Sequence, residues 1–183
     1  GESWYVGLSD RMQLFGFALS PADPDRVYAR HIGKGVRRSD DGGMTWTAVI
    51  NGLAGLVPVA LAAAPDNPDQ VYMGSNPYGL YRSDYGGHEW LELHEYMGSN
   101  SLAVDAFTPG RVYSTAFNGI LISTDYLQTW FVAPYSPAFP AWCDTCLGGS
   151  QSLALGSHPT IPGRVLAAIG FESKLALSRS PLP

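Results

Sequence analysis

Short apolar runs alternate along the chain with turn-forming clusters, and the runs return at a nearly constant distance. Residues 14–19 (Leu-Phe-Gly-Phe-Ala-Leu), 58–63 (Pro-Val-Ala-Leu-Ala-Ala), 101–105 (Ser-Leu-Ala-Val-Asp) and 152–156 (Ser-Leu-Ala-Leu-Gly) are brief and rich in small residues. Runs of that length bounded by turn signals predict buried strands. A proline-bearing turn follows each one, at 21–25, 65–69, 108–110 and 158–163. Proline presets φ there, and Asp or Asn bonds its own backbone. Next comes Arg26-Val27-Tyr28-Ala29, echoed by Gln70-Val71-Tyr72-Met73, Arg111-Val112-Tyr113-Ser114 and Arg164-Val165-Leu166-Ala167. A β-branched residue among polar and aromatic neighbours predicts a half-buried second strand. Third strands are predicted at 35–38, 79–82, 119–122 and 174–177, and fourth strands open at Trp46 and Trp130. No segment carries a 3.6-residue apolar stripe, so the pattern predicts an all-β chain.

Between the third and fourth strands lies an octapeptide, Ser39-Asp40-Asp41-Gly42-Gly43-Met44-Thr45-Trp46. It recurs 44 positions on as Ser83-Asp84-Tyr85-Gly86-Gly87-His88-Glu89-Trp90, and 40 further on as Ser123-Thr124-Asp125-Tyr126-Leu127-Gln128-Thr129-Trp130. A tail of the motif stands at 1–4 and a head at 177–180. The Asp41 carboxylate and the Ser39 and Thr45 hydroxyls can bond the exposed backbone of a tight turn. Gly43 allows positive φ, and Trp46 offers a large ring for burial between neighbouring sheets. Ser83, Gly87 and Trp90, and then Ser123, Asp125, Thr129 and Trp130, hold the corresponding places. These residues are expected to brace turns rather than to perform chemistry.

A period of 40–45 residues is the length of one four-stranded propeller blade. The expectation is a β-propeller of four-stranded antiparallel blades, about four in number, forming a single domain over residues 1–183. Its repeats fall at approximately 5–46, 47–90, 91–130 and 131–180, with a loop insertion at 133–151. Two arrangements fit: a closed four-bladed ring, or part of a larger propeller. The second is favoured because both ends fall inside a repeat unit.

Ser-x-Asp-x-Gly-x-Thr-Trp resembles the Asp-box, or BNR repeat, of sialidases, xyloglucanase-like glycoside hydrolases, sortilin-type receptors and propeller-type photosystem II assembly factors. The likeness runs along essentially the whole chain as a repeat pattern. It implies a propeller fold, and it leaves activity open because enzymes, receptors and scaffolds share the motif. The second copy departs at Tyr85 and Glu89, and the third at Leu127. The Arg-Ile-Pro element of sialidases is absent, so no catalytic residue carries over.

Bulk properties narrow the options. Charged residues make up 15% of 183 positions, while Gly (21), Pro (14) and aromatics (12%) suit short strands and tight turns. A net charge of −5 argues against nucleic acid, which needs clustered basic residues. Arg26, Arg30, His31, Lys34, Arg37 and Arg38 form a local basic stretch, expected to be a solvated blade edge. No apolar run is long enough for a membrane span. No cofactor and no metal site is expected.

In such a repeat the binding face lies opposite the octapeptides, on loops between fourth and first strands and between second and third strands. Candidate ligand-binding residues there are Asp10, Arg11, His31, Asn76, Tyr78, Glu95, Tyr96, Trp142, Asp144 and Glu172, with Asn118, Tyr135 and Phe171 beside them. Aromatic rings next to carboxylates and amides suit sugars, whose C–H faces stack while hydroxyls are bonded. A glycosidase would need two facing carboxylates, roughly 5–9.5 Å apart. Asp10, Glu95, Asp144 and Glu172 are available, but no spacing selects a pair. Cys143 and Cys146 lie in the insertion as Cys-x-x-Cys. With no further Cys, no flanking His and no βα unit, a local disulfide fits better than zinc or redox catalysis.

These readings predict a non-catalytic binding or scaffolding module, extracellular or periplasmic, partnered by protein, by further blades or copies of itself, or by glycan. The alternative is part of a glycoside hydrolase of xyloglucanase or sialidase type.

Overall fold

A computed structural model describes residues 14–31, 33–76, 79–95, 101–116, 119–132, 154–157, 160–161, 165–169 and 174–177. Among these residues there is no helix, and no helix of the structure is long and apolar enough to cross a membrane. The described residues form fifteen strands in four antiparallel sheets. The first sheet contains β1 (Leu14–Ser20), β2 (Asp23–His31), β3 (Gly35–Ser39) and β4 (Thr47–Ala48), in that order. The second contains β5 (Val57–Ala63), β6 (Val71–Asn76), β7 (Gly79–Ser83) and β8 (Leu91–Glu95). β9 (Leu102–Val104), β10 (Val112–Ala116), β11 (Gly119–Ser123) and β12 (Phe131–Val132) make the third. The fourth sheet pairs β13 (Ala154–Ser157), β14 (Val165–Ile169) and β15 (Lys174–Leu177).

The register repeats from sheet to sheet. Ala18 pairs Tyr28, Ala62 pairs Tyr72 and Ala103 pairs Tyr113. Tyr28 then pairs Arg38, Tyr72 pairs Arg82 and Tyr113 pairs Ile122. The small residue on the first strand leaves room for the tyrosine ring, and all three tyrosines are essentially buried.

Because side chains alternate across a strand, each sheet has two distinct faces. Ala18, Tyr28, Val36 and Val49 on the front of the first sheet pack against Ala63, Val71, Met73 and Trp90 on the rear of the second. Ala62, Tyr72 and Leu80, on the second sheet's front, pack in turn against Leu102, Val112 and Leu127 of the third. β1 touches β5, β5 touches β9 and β9 touches β13, so consecutive sheets meet through their first strands. These thin layers of Ala, Val and Tyr are the core.

Two details differ from the sequence pattern. β2 begins at Asp23 rather than after the proline turn, with Pro24 in the irregular stretch between the Ser20–Asp23 and Leu19–Val27 pairs. A residue without an N–H is tolerated there because the ladder is already interrupted. The fourth strands begin after the tryptophan rather than on it, since that residue still belongs to the turn.

Candidate functional site

The octapeptides are the β3–β4, β7–β8 and β11–β12 connections. In the first, Ser39 Oγ accepts the Asp41 and Gly43 amides at 3.3 and 2.8 Å and donates to Asp41 Oδ1 at 2.7 Å. The Asp41 carboxylate then takes the Thr45 amide at 2.8 Å and the Thr45 hydroxyl at 2.6 Å. Those bonds, from Thr45 first and Ser39 second, hold the Asp41 carboxyl down at about 2, although it is exposed. Asp125 is bonded likewise by Thr129 and Ser123, and its carboxyl is also held below the usual range. In the second copy Ser83 keeps its bonds to the Tyr85 and Gly87 amides.

The third position of backbone need is solved in two ways. Gly43 and Gly87 have φ of 95° and 85°, and a Cβ on Gly87 would lie 2.8 Å from Val49. In the third copy Leu127 takes φ of 65°, preceded by Tyr126 at 61°. Strain of that kind costs about 1–3 kcal/mol, but the Leu127 side chain is buried in the layer between the second and third sheets.

Tryptophans of the second and third octapeptides reach the preceding sheet. Trp90 Nε1 donates to the Val49 carbonyl at 3.0 Å, and the Trp130 ring meets His94 edge-on at 5.1 Å. Trp46 instead donates to Gly43 of its own turn and leans on Phe17.

Arg26, Arg30 and Arg38 of the basic stretch do not form a solvated edge, whereas Lys34 is exposed. Arg38 forks onto Asp40 (Nη2–Oδ2 3.0 Å) and sends Nη1 to the Gly86 carbonyl of the next octapeptide at 3.0 Å. Arg82 repeats this, with Asp84 at 3.0 Å and the Tyr126 carbonyl at 2.7 Å. Arg26 bridges Asp40 and Asp69, while Arg30 donates to the Phe15 and Val59 carbonyls. Tyr28 Oη donates to the Pro68 carbonyl at 2.9 Å. These groups bind sheet to sheet. The repeated tripeptide Arg38-Ser39-Asp40 and Arg82-Ser83-Asp84 was the available signal; in the third copy Ile122 and Thr124 replace both partners together.

Of the candidate ligand residues, His31 ends β2 and is buried. Asn76 and Glu95 end β6 and β8 at backbone positions paired with Val57 and Gly79. The strand directions put these three at the sheet ends opposite the octapeptides. Asp10, Arg11, Tyr78, Tyr96, Asn118, Tyr135, Trp142, Cys143, Asp144, Cys146, Phe171 and Glu172 lie outside the described residues.

The described residues also form an open groove of about 770 Å³ on the flank of the first two sheets. It is bounded by the β2–β3 turn with Lys34, the connection from Val49 to Val57, and His88 of the second octapeptide. Ile50 and Val57 are 47% and 44% exposed along it, over a floor that includes buried Leu53. Much of the remaining lining is glycine and backbone beside the two-residue edge strand β4.

No protein-family model and no curated protein matches the chain. Solved structures do. The GH74 xyloglucanase from Xanthomonas campestris superposes with a TM-score of 0.68 at 21% identity, over 93% of this chain and 29% of that one. The Cps50 (Swd1) beta-propeller domain of Myceliophteria thermophila gives 0.52 at 11% identity, over 89% and 52%. The chain is a β-propeller. YCF48 bound to D1 peptide gives 0.55 at 14% identity, covering 96% of this propeller and 67% of that chain. This propeller thus spans less than a third of the length of the GH74 enzyme.

Proposed function

We propose that the chain is a non-catalytic binding or scaffolding propeller module acting outside the cytoplasm, with Asp-box turns, and that it holds an extended segment of a partner protein. The carrying observation is the groove along the first two sheets, lined mostly by aliphatic side chains and glycine backbone with Lys34, Asn51 and His88, and with no Phe, Tyr or Trp among its described lining residues. Ile50, Leu53 and Val57 suit peptide side chains, and an edge strand beside a backbone-lined trough suits strand addition. A sugar would ask for ring faces to stack upon. The peptide-bound YCF48 structure supports the same choice of ligand class. The octapeptide carboxylates are engaged in turn bonds, which accords with a bracing role and with tolerance of degenerate copies. The Cys143–Cys146 pair, as a disulfide, supports an oxidising compartment.

The second reading is a share of a glycoside hydrolase, favoured by the superposition on the GH74 xyloglucanase. One experiment separates the two. The purified chain is assayed on a peptide array and, in parallel, for binding and hydrolysis of xyloglucan. The expected result is saturable peptide binding, weakened at least about tenfold by Ile50→Asp, with no reducing sugar released. Hydrolysis of xyloglucan, or peptide binding indifferent to Ile50→Asp, would overturn the proposal.

A further inference from the structure

The rear face of the first sheet is built like an interface but carries no sheet among the described residues. Equal register makes Phe17, Leu61 and Leu102 equivalent, and likewise Leu19, Ala63 and Val104. In the second and third sheets these positions are packed against the front of the sheet before: Ala63 is 8% exposed and Leu102 7%. In the first sheet Phe17 is 59% exposed and Leu19 69%. Trp46 adds an independent sign. Its equivalents Trp90 and Trp130 contact the preceding sheet, whereas Trp46 lies half-buried over Phe17 on the same face.

The geometry also states what would cover such a face. Each rear face is covered by the front of a sheet of this same repeat, in which a small residue on the first strand stands beside the second strand's central ring or aliphatic. At the other end of the row, β13 packs on β9 and β10, and among the described strands it does not meet β1. β14 brings Leu166, paired with Gly156, to the register position that Tyr28 and Tyr72 hold on the fronts of their sheets. Among the described strands the row therefore has two unlike ends, a rear and a front.

We propose that the rear of the first sheet, with Phe17, Leu19 and Trp46, receives the β13–β15 sheet of a second copy of the chain, so that two copies close head to tail into one ring. Two unlike ends make the contact heterologous, and it terminates once both pairs of ends are joined. Four sheets from each copy make a ring of eight, within the usual range for propellers.

The test is mass by light scattering on the full chain, with circular dichroism to monitor folding. The native chain is expected at twice its 19.7 kDa. Leu19→Glu and Leu166→Glu are each expected to weaken pairing at least about tenfold. Leu91→Glu, at an exposed position on β8 away from the contact, leaves the paired mass unchanged. An equimolar mixture of the Leu19→Glu and Leu166→Glu chains restores pairing, because each still carries one intact end of opposite kind. A native chain that runs at the single-chain mass overturns the proposal, whether the face is then covered by the chain itself or by another protein. Pairing that survives Leu19→Glu overturns it as well, and so does a mixture that fails to pair. A Leu166→Glu chain that pairs like the native one also overturns it, since that outcome means rear-to-rear contact.

Discussion

Ser123 accepts two backbone amides of its turn while itself buried, and it donates to Asp125 Oδ1 at 2.9 Å. Ser123→Ala strands those amides and is expected to destabilise the protein by about 1–3 kcal/mol, measured by urea unfolding. Asp41 and Asp125 set a pH window. Both carboxyls ionise below their unfolded value of 3.8, so the folded state binds protons less readily than the unfolded one. Their contribution is complete above the unfolded value and is lost as pH falls toward about 2. Melting temperature is expected to drop in that acid window, and Asp41→Asn/Asp125→Asn to melt lower at neutral pH with a shallower acid decline. Parallel curves would contradict the assignment. The hydrogen-bonding Ser and Asp were visible in the sequence because Ser recurs in all three copies, and Asp in the first and third, at the same spacing. Leu127 was not legible as a core residue: at a glycine position it reads as decay, and only the packing between sheets shows what its side chain fills. Leu127→Gly is expected to relieve strain yet lose more in burial, a net destabilisation of about 1–3 kcal/mol in the same unfolding measurement.

At the scale of strands and turns, the sheets were legible and the ties between them were not. Apolar runs, proline turns and the Val-Tyr strand located every first, second and third strand to within a few residues. The Arg26–Arg38 stretch misled because charge density alone says nothing of partners. Asp69, the Val59 and Pro68 carbonyls and the Gly86 carbonyl of the next turn come from elsewhere in the chain. Arg38 and Arg82 each hold one turn to the following one, so octapeptides serve as links as well as braces. Arg82→Met removes the Tyr126 and Asp84 bonds while keeping the aliphatic stem, with an expected loss of about 1–2 kcal/mol. A double-mutant cycle of Arg82→Met with Ile122→Val should show additivity, because the third copy has no arginine to share the load.

For the whole molecule, the row of sheets with alternating front and rear faces accounts for the propeller fold at identities too low for sequence matching. Thin Ala–Tyr layers stack with little chemistry of their own, which leaves binding to the flank and to the loops at the far end. Most residues singled out for that far end fall outside the described ones, and His31 is buried in β2 rather than presented. The groove from Lys34 to Val57 had no sequence signal beyond the loops that frame it, because its walls are backbone and common aliphatics. The central claim is that this groove holds a peptide, and hydrogen exchange tests it most directly. With a peptide selected from the array bound at saturation, amides of residues 33–35 and 47–57 are expected to exchange at least about tenfold more slowly, while the octapeptide turns at 39–46 and 123–130 stay unchanged. Protection confined to those turns, or absent from 47–57, would contradict the account.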